Sequence, residues 1–309
     1  MNAIEDANRQ ANEQVQKSVA KRALVGPDLY VIHDADPDGM TCGWLINRYI
    51  DSYCGLVCQL HGQDKIQNKE MYRDKDVIIC DLSFDREELL QLQMIAKSVL
   101  LLDHHASAKE KLGDLDFCIF DTSQCAAGVV SDWIAKQRKD YIRPTLVNYI
   151  DDLDTWKWAQ PRSKTIAAAI YCQPLSLDAW NWMALDLEVA RSIDESDLFK
   201  IGQILELQQR RDMEMIKENT VVVNFEGYEV PCVNSILHRS DLGHQLCEEY
   251  NSQFAIVWYA KDRDTISVSL RSSKYEILDI AQKYGGGGHP KAAGFRLTFQ
   301  QMREVFKPL

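Results

Sequence analysis

Apolar and polar positions follow two rhythms along this chain. After the Gly26-Pro27 break, LYVIHD (29–34) is a short continuous apolar run, and TCGWLINRYI (41–50) returns its apolar residues at helical spacing. The same alternation recurs in DVIICDLS (76–83), REELLQLQMIAK (86–97) and SVLLLDHH (98–105). Strand followed by helix, repeated, predicts a parallel sheet with helices on its faces. Continuous rather than alternating hydrophobicity in VIIC and VLLL predicts strands buried on both sides. LDFCIFDTS (115–123) reads as a further strand, with Thr122 or Ser123 able to cap the helix QCAAGVVSDWIAKQR (124–138), and Pro144 opens the helix PTLVNYIDDLDTW. Upstream, Ile4, Ala7, Ala11, Val15 and Val19 predict a weakly amphipathic helix lying against this domain.

A long helical stretch, SDLFKIGQILELQQRRDMEMIKEN (196–219), has no strand partner nearby and reads as a connector. Beyond it VVVNFEGYEVPCVNS, QFAIVWYAKD and TISVSLRSS read as strands, and KYEILDIAQKYG as a helix before four glycines. The expected division is a domain over 1–195, a helical linker over 196–218 and a second, mixed α/β domain over 219–309.

Composition narrows the function. The 309 residues are 46% hydrophobic and 26% charged, ordinary for a globular chain. No stretch suits a signal peptide or spans a bilayer, and nine scattered cysteines without a CxxC pair signal neither disulfides nor a zinc knuckle, so a cytoplasmic protein is expected. A formal net charge of −11 argues against holding long nucleic-acid duplexes by phosphate neutralisation. It leaves room for a small anionic substrate received through metal ions.

In an open parallel sheet, ligands bind beyond the carboxyl ends of the strands. Three strands here end in acids: LYVI runs into His33, Asp34, Asp36 and Asp38; VIIC into Asp81; VLLL into Asp103, His104 and His105. A fourth group, Asp151, Asp152 and Asp154, follows a predicted helix. Converging carboxylates repel one another unless cations hold them. Oxygen ligands with one or two imidazoles suit Mn²⁺ or Mg²⁺, and two such ions about 3.5–4 Å apart form an apparatus for cleaving phosphoesters.

The ordered set DADPDG, DLS, DHH and IDDLDTW resembles the four motifs of the DHH phosphoesterase superfamily, which includes RecJ-type exonucleases, nanoRNases, cyclic-dinucleotide phosphodiesterases and pyrophosphatases. SVSLRSSKYEILDIAQKYGGGGHPKAAGF (267–295) resembles the DHH-associated C-terminal domain. The resemblance spans about 30 to 309 and implies a parallel-sheet catalytic domain with a smaller domain folding over its cleft. It assigns Asp36 and Asp38 to the first motif, with Asp34 close to the metals in the manner of RecJ; Asp81 to the second; and Asp103 and His104 to the third. His105 is a ligand or faces the scissile phosphate. In the fourth motif Asp152 best matches the acid that ends a helix, Asp154 is the second choice, and Asp151 is read as a solvated neighbour. Arg271, Gly286, Gly287, Gly288 and His289 are implied as the phosphate and nucleotide clamp.

The expected function is hydrolysis of short single-stranded oligonucleotides or dinucleotides to nucleoside monophosphates, with two Mn²⁺ ions and Mg²⁺ or Co²⁺ as alternatives. Cyclic-dinucleotide cleavage and RecJ-like digestion of longer strands are the rivals within the enzymes, and a catalytically silent nucleotide-binding regulator is the rival outside them. No membrane partner is expected, and a homodimer is left open.

Overall fold

The computed structural model describes residues 27–60 and 65–308. The helix expected over residues 4–19 lies outside the described residues. The chain folds as two compact units, Met1–Gln203 and Ile204–Leu309.

The first unit is built on five parallel strands: β1 (Leu29–Asp34), β2 (Gly55–Gln59), β3 (Asp76–Cys80), β4 (Ser98–Asp103) and β5 (Cys118–Phe120). Their order across the sheet is β2-β1-β3-β4-β5. Successive side chains of a strand point to opposite faces, and both faces are filled. Val31, Ile78, Cys80 and Leu102 join one apolar cluster, whereas Ile32, Val77, Ile79, Val99 and Leu101 join another. The continuous apolar runs in the sequence therefore reflect a sheet sandwiched between helices.

Two local departures from expectation shape the site. The first helix, α1, runs from Pro37 to Tyr49, four residues earlier than its apolar pattern begins. Asp36 caps it, its Oδ1 accepting the Gly39 amide at 2.9 Å, and Pro37 fits the first turn, where no backbone donor is required. The acidic motif is thus half loop and half helix. The helix expected from residue 124 runs over Ala126–Gln137 (here α4, after α2, Arg86–Ile95, and α3, Ala106–Leu112), and neither Thr122 nor Ser123 caps it. Its first amides are taken by distant acids. Asp38 accepts from Ala126 and Ala127, both at 2.8 Å, and Asp151 accepts from Cys125 at 2.8 Å.

The remaining helices of this unit are α5 (Thr145–Asp154), α6 (Ser163–Tyr171) and α7 (Leu177–Val189). The connector, α8 (Asp197–Lys217), packs Leu198 and Phe199 into the first unit's core and Met213 into a core of the second. Among the described residues no helix is long and apolar enough to cross a membrane.

The second unit holds a seven-stranded sheet with β6 (Val221–Phe225), β7 (Tyr228–Asn234), β8 (Ala255–Ala260), β9 (Thr265–Arg271), β10 (Gly287–His289), β11 (Ala292–Thr298) and β12 (Lys307–Pro308). The order is β10-β11-β9-β8-β7-β6-β12, antiparallel except for β7 with β8. A helix, α9 (Arg239–Glu249), makes the crossover between that parallel pair. Ala255 and Val257 face one apolar cluster while Ile256 faces the other.

Gly39 is where α1 crosses back over β1. A Cβ there would stand 2.4 Å from the Asp34 carbonyl oxygen and 2.6 Å from its nitrogen. Neither is a flexible side-chain end, so the backbone itself would have to move. Gly39→Ala is expected to cost about 1–3 kcal/mol, read as a lower denaturation midpoint with an unchanged m-value.

Candidate metal centre

The strand ends place the acidic motifs side by side. β1 ends at Asp34, β3 delivers Asp81, and β4 ends at Asp103 with His104 and His105 following. Asp81 adopts φ 61°, a left-handed turn that Asp tolerates better than most residues. Its amide donates to the Leu102 carbonyl at 3.2 Å, tying the end of β3 to β4.

Three groups of side chains bring ligand atoms within 4.8 Å of one another: Asp81, Asp103, His104 and His105; Asp38, His104 and Asp154; Asp34, Asp36 and Asp81. Asp81 and His104 are each shared by two groups, so the three merge into one centre. His104 Nε2 lies 3.3 Å from Asp81, 3.7 Å from Asp154 and 3.9 Å from Asp38. Asp103 is fully buried, and its Oδ1 accepts from the His104 amide at 2.7 Å and meets His105 Nδ1 at 2.7 Å. Its Oδ2 is buried with no hydrogen-bond partner. An ionised oxygen left so is costly unless a cation meets it.

The electrostatics agree with a site built for positive charge. Burial, reinforced by Asp154, pushes Asp38 up to about 7 despite the amides of Ala127 and Ala126 that oppose it. Burial and then the charges of Asp38, Asp36, Asp154 and Asp103 push Asp81 well above the usual carboxylate range. Asp154 is raised chiefly by burial, against the pull of His104. Asp103 behaves differently. Burial acts to raise it, but its bonds to His105 and to the backbone of His104 and His105 hold it below the ordinary value. The hydrogen bond to Asp103 raises His105 in return, whereas burial lowers His104, which favours the neutral imidazole that ligates metal.

These residues fit hard divalent cations: six carboxylates and two imidazoles, with no thiolate among the clustered ligands. Not every acid of the motifs joins them. Asp152 accepts from the amides of Ala159 (2.7 Å) and Gln160 (3.1 Å) and from the Ser163 hydroxyl, so both its oxygens hold the turn after α5. It lies outside the three groups, and Asp154, two residues on, is the acid of this motif that faces His104. Asp151 pairs with Lys157 at 3.0 Å besides capping α4, and is mostly buried rather than solvated. His33 is buried with Nδ1 2.8 Å from the Asp34 carbonyl oxygen, outside every group.

In the second unit, Arg271 ends β9. Its guanidinium donates to the Leu270 carbonyl and to the Ser240 hydroxyl, both at 2.9 Å. Burial, then the neighbouring charge of Arg239, lower its pKa. A Cβ on Gly243 would come 2.8 Å from Arg271 Cγ, so that glycine makes room for the arginine against α9. The second half of the glycine run, Gly287 and Gly288, opens an edge strand, and Gly285 and Gly286 lead into it. Gly286 and Gly288 approach β11 so closely that a Cβ would fall 2.1 Å from the Gly294 oxygen and 2.5 Å from the Ala292 oxygen. His289 is opposite Ala292, which is opposite Arg271. The two candidate clamp side chains therefore share one face of the sheet, two strands or about 10 Å apart.

The DHHA1 domain model matches residues 221–308. With 98% of this chain and 90% of the other aligned, the fold is that of a structure described as the DHH domain of a member of a family of ribosomal proteins (TM-score 0.59, 13% identity). Residues 221–308 thus carry a DHHA1 domain, and the chain as a whole has the fold of a DHH-domain structure. The chain is also similar over 90% of its length to the pGpG-specific phosphodiesterase PggH of Vibrio cholerae, 95% of which is covered, at TM-score 0.52 and 16% identity. Two relatives match in sequence. The uncharacterized protein R106 of Acanthamoeba polyphaga mimivirus is 26% identical over 292 residues, which is 88% of this chain and 68% of that one. The oligoribonuclease NrnB of Bacillus subtilis is 21% identical over 300 residues, 88% of this chain and 73% of that one.

Sequence reasoning missed the partners that steady the DHH motifs: the amides of Ala126 and Ala127 on Asp38, and Ser240, Arg239 and Gly243 around Arg271. Backbone amides leave no trace in a residue pattern. Ser240 and Arg239 stand 31 and 32 positions before Arg271, with nothing in their spacing to link them.

The raised carboxylates link stability to pH. They bind more protons folded than unfolded between their unfolded value, about 4, and, for Asp38, about 7. Stability of chelated protein should therefore fall as pH rises through that window. His105 acts in the same sense, while the lowered His33 and His104 oppose it but are fewer. Thermal melts at pH 5.5 and 7.5 with chelator, then with Mn²⁺, should show the metal raising Tm more at pH 7.5, where protons compete less. The two acids of the fourth motif should also separate by mutation. Asp154→Ala should weaken metal binding in calorimetry, whereas Asp152→Ala should lower stability by about 2–3 kcal/mol and leave the stoichiometry of bound metal unchanged.

Proposed function

We propose that the protein is a cytoplasmic, metal-dependent phosphodiesterase that hydrolyses short single-stranded oligonucleotides or dinucleotides to nucleoside monophosphates, with two Mn²⁺ ions and Mg²⁺ or Co²⁺ as substitutes. The observation that carries this reading is the unpartnered, buried Oδ2 of Asp103 within a shell of Asp81, His104 and further carboxylates. The similarity to a protein named as an oligoribonuclease supports the substrate class.

Asp34, Asp36, Asp38, Asp81, Asp103, His104 and Asp154 would hold the metals. Divalent ions bound there supply Lewis-acid stabilisation of phosphoryl oxygens and an activated water at neutral pH. The chain's own residues do the rest. Asp103 fixes the His105 ring through Nδ1, which turns Nε2 away from the carboxylate. With its pKa raised, His105 is suited to hold a proton against the scissile phosphate or its leaving oxygen. Arg271 and His289, on one face of the second unit's sheet, serve as the clamp for a terminal phosphate or nucleotide, a task for which a guanidinium has the right fork of donors.

Charge sets the expected substrate length. A chain at −11 engages few phosphates, so kcat/KM should peak among dimers to pentamers and change little with salt, since each neutralised phosphate on a single strand contributes a logarithmic slope of about −0.7. End-labelled oligonucleotides of graded length, run beside cyclic dinucleotides at two ionic strengths with Mn²⁺ and with chelator, test this directly. A steady rise with length and a steep salt slope would favour RecJ-like digestion. In the same assay Asp103→Asn should lower kcat by at least about 10²–10³ with the fold intact by circular dichroism; near-normal turnover in a folded, metal-loaded variant would dismiss the centre.

A further inference from the structure

The turn after α5 takes no part in the chemistry above, yet it holds two tryptophans in a conformation such residues avoid. Trp156 and Trp158 have φ of 55° and 51°, in the left-handed region that disfavours bulky L-residues. Strain of this kind persists only where the surroundings over-determine it, and it concentrates at functional sites. Here the surroundings are visible. Asp152 holds the Ala159 and Gln160 amides and the Ser163 hydroxyl, and its carbonyl accepts from the Lys157 amide at 3.1 Å. Tyr149 donates to the Pro161 carbonyl at 2.9 Å.

The result is a propped indole. Trp158 packs against the core, with Lys164 Nζ 5.6 Å from its ring centre. Trp156 leans on it edge to face, centroids 5.4 Å apart at 76°, and is itself 63% exposed. Its Cα lies two residues from that of Asp154, at most about 7.6 Å. The indole is therefore carried on backbone that lies within one nucleotide's length of Asp154. Tyr171, a second exposed aromatic, is close enough to Asp36 and Asp154 to feel both charges.

We propose that Trp156, propped by Trp158, is a stacking platform for the nucleobase attached to the phosphate at the metal centre. The inference rests on the phosphodiesterase reading and narrows it: the substrate class is base-bearing nucleotides, not polyphosphate or simple phosphate esters. Every base has a π-face, so the platform favours a base over none without choosing among the four.

The test compares kcat/KM, with Mn²⁺, for a dinucleotide and for two analogues lacking the 5′ or the 3′ base, in wild type, Trp156→Ala and Trp156→Phe. Wild type should cleave one abasic analogue about 10–100-fold less efficiently than the parent. Trp156→Ala should bring that ratio near one, chiefly through KM, and Trp156→Phe should keep most of it. Full discrimination retained by a folded Trp156→Ala protein, or none in wild type, would overturn the platform. Should wild type cleave none of the three, the phosphodiesterase reading fails, and the platform is decided by binding alone. Quenching of tryptophan fluorescence by adenosine monophosphate in the full chain would then have to be lost in Trp156→Ala; quenching that is absent from wild type or undiminished in the variant would refute it.

Discussion

The constraint on which this structure turns is the convergence of many carboxylates, with Asp34, Asp38, Asp81 and Asp103 buried among them. Like charges at such separations cannot all ionise without compensation. Among the described residues no ion pair sets a lysine or arginine against Asp38, Asp81, Asp103 or Asp154, where such a side chain would occupy the place of the ions. The protein uses weaker devices instead. Asp38 rests on the amide ends of α4, Asp36 commits one oxygen to the first turn of α1, and Asp103 is hydrogen-bonded to His105. Each moderates the repulsion without removing it, and what is left over is the attraction for cations.

How much of this is legible in sequence depends on how far each feature is local. β1, β3 and β4 are legible because burial on both faces leaves unbroken apolar runs, and a strand that stops at an acid marks the functional edge. β2 is not: at GLVCQ only Gln59 is fully buried, and an edge strand of five residues has no pattern to distinguish it from a loop. The helices Ser163–Tyr171 and Leu177–Val189 likewise have no strand pattern beside them to mark where they begin. Asp152 and Asp154 illustrate a finer limit. Both lie at the end of one helix, and which enters the site depends on where the chain turns next. Ser163 and the amides of Ala159 and Gln160 claim Asp152, and only the folded turn reveals that claim.

The glycine run teaches a related lesson. Four successive glycines suggest a backbone laid open to an anion. Two of them are required by the sheet itself, since Gly286 and Gly288 meet β11 backbone where no Cβ fits. Gly287, between them, meets nothing, so any part it has in ligand binding is distinct from the packing that demands its neighbours. In the same unit Arg271 is half-buried and hydrogen-bonded to Ser240, and the charges of Arg239 and Asp241 act on it in opposite senses.

The bond between Asp38 and the start of α4 joins positions 88 and 89 residues apart in the chain. Such a contact closes a long loop, and long-range contacts form late because the entropy of closure must be met before the contact gives anything back. On a ribosome, the first three acidic motifs emerge well before residues 126–127 and 154 are available. The centre is therefore completed only after the sheet and its covering helices have docked, and a nascent or truncated chain exposes acids without the geometry that makes them selective for metal. Completion of the centre is thus tied to chain connectivity rather than to any single residue.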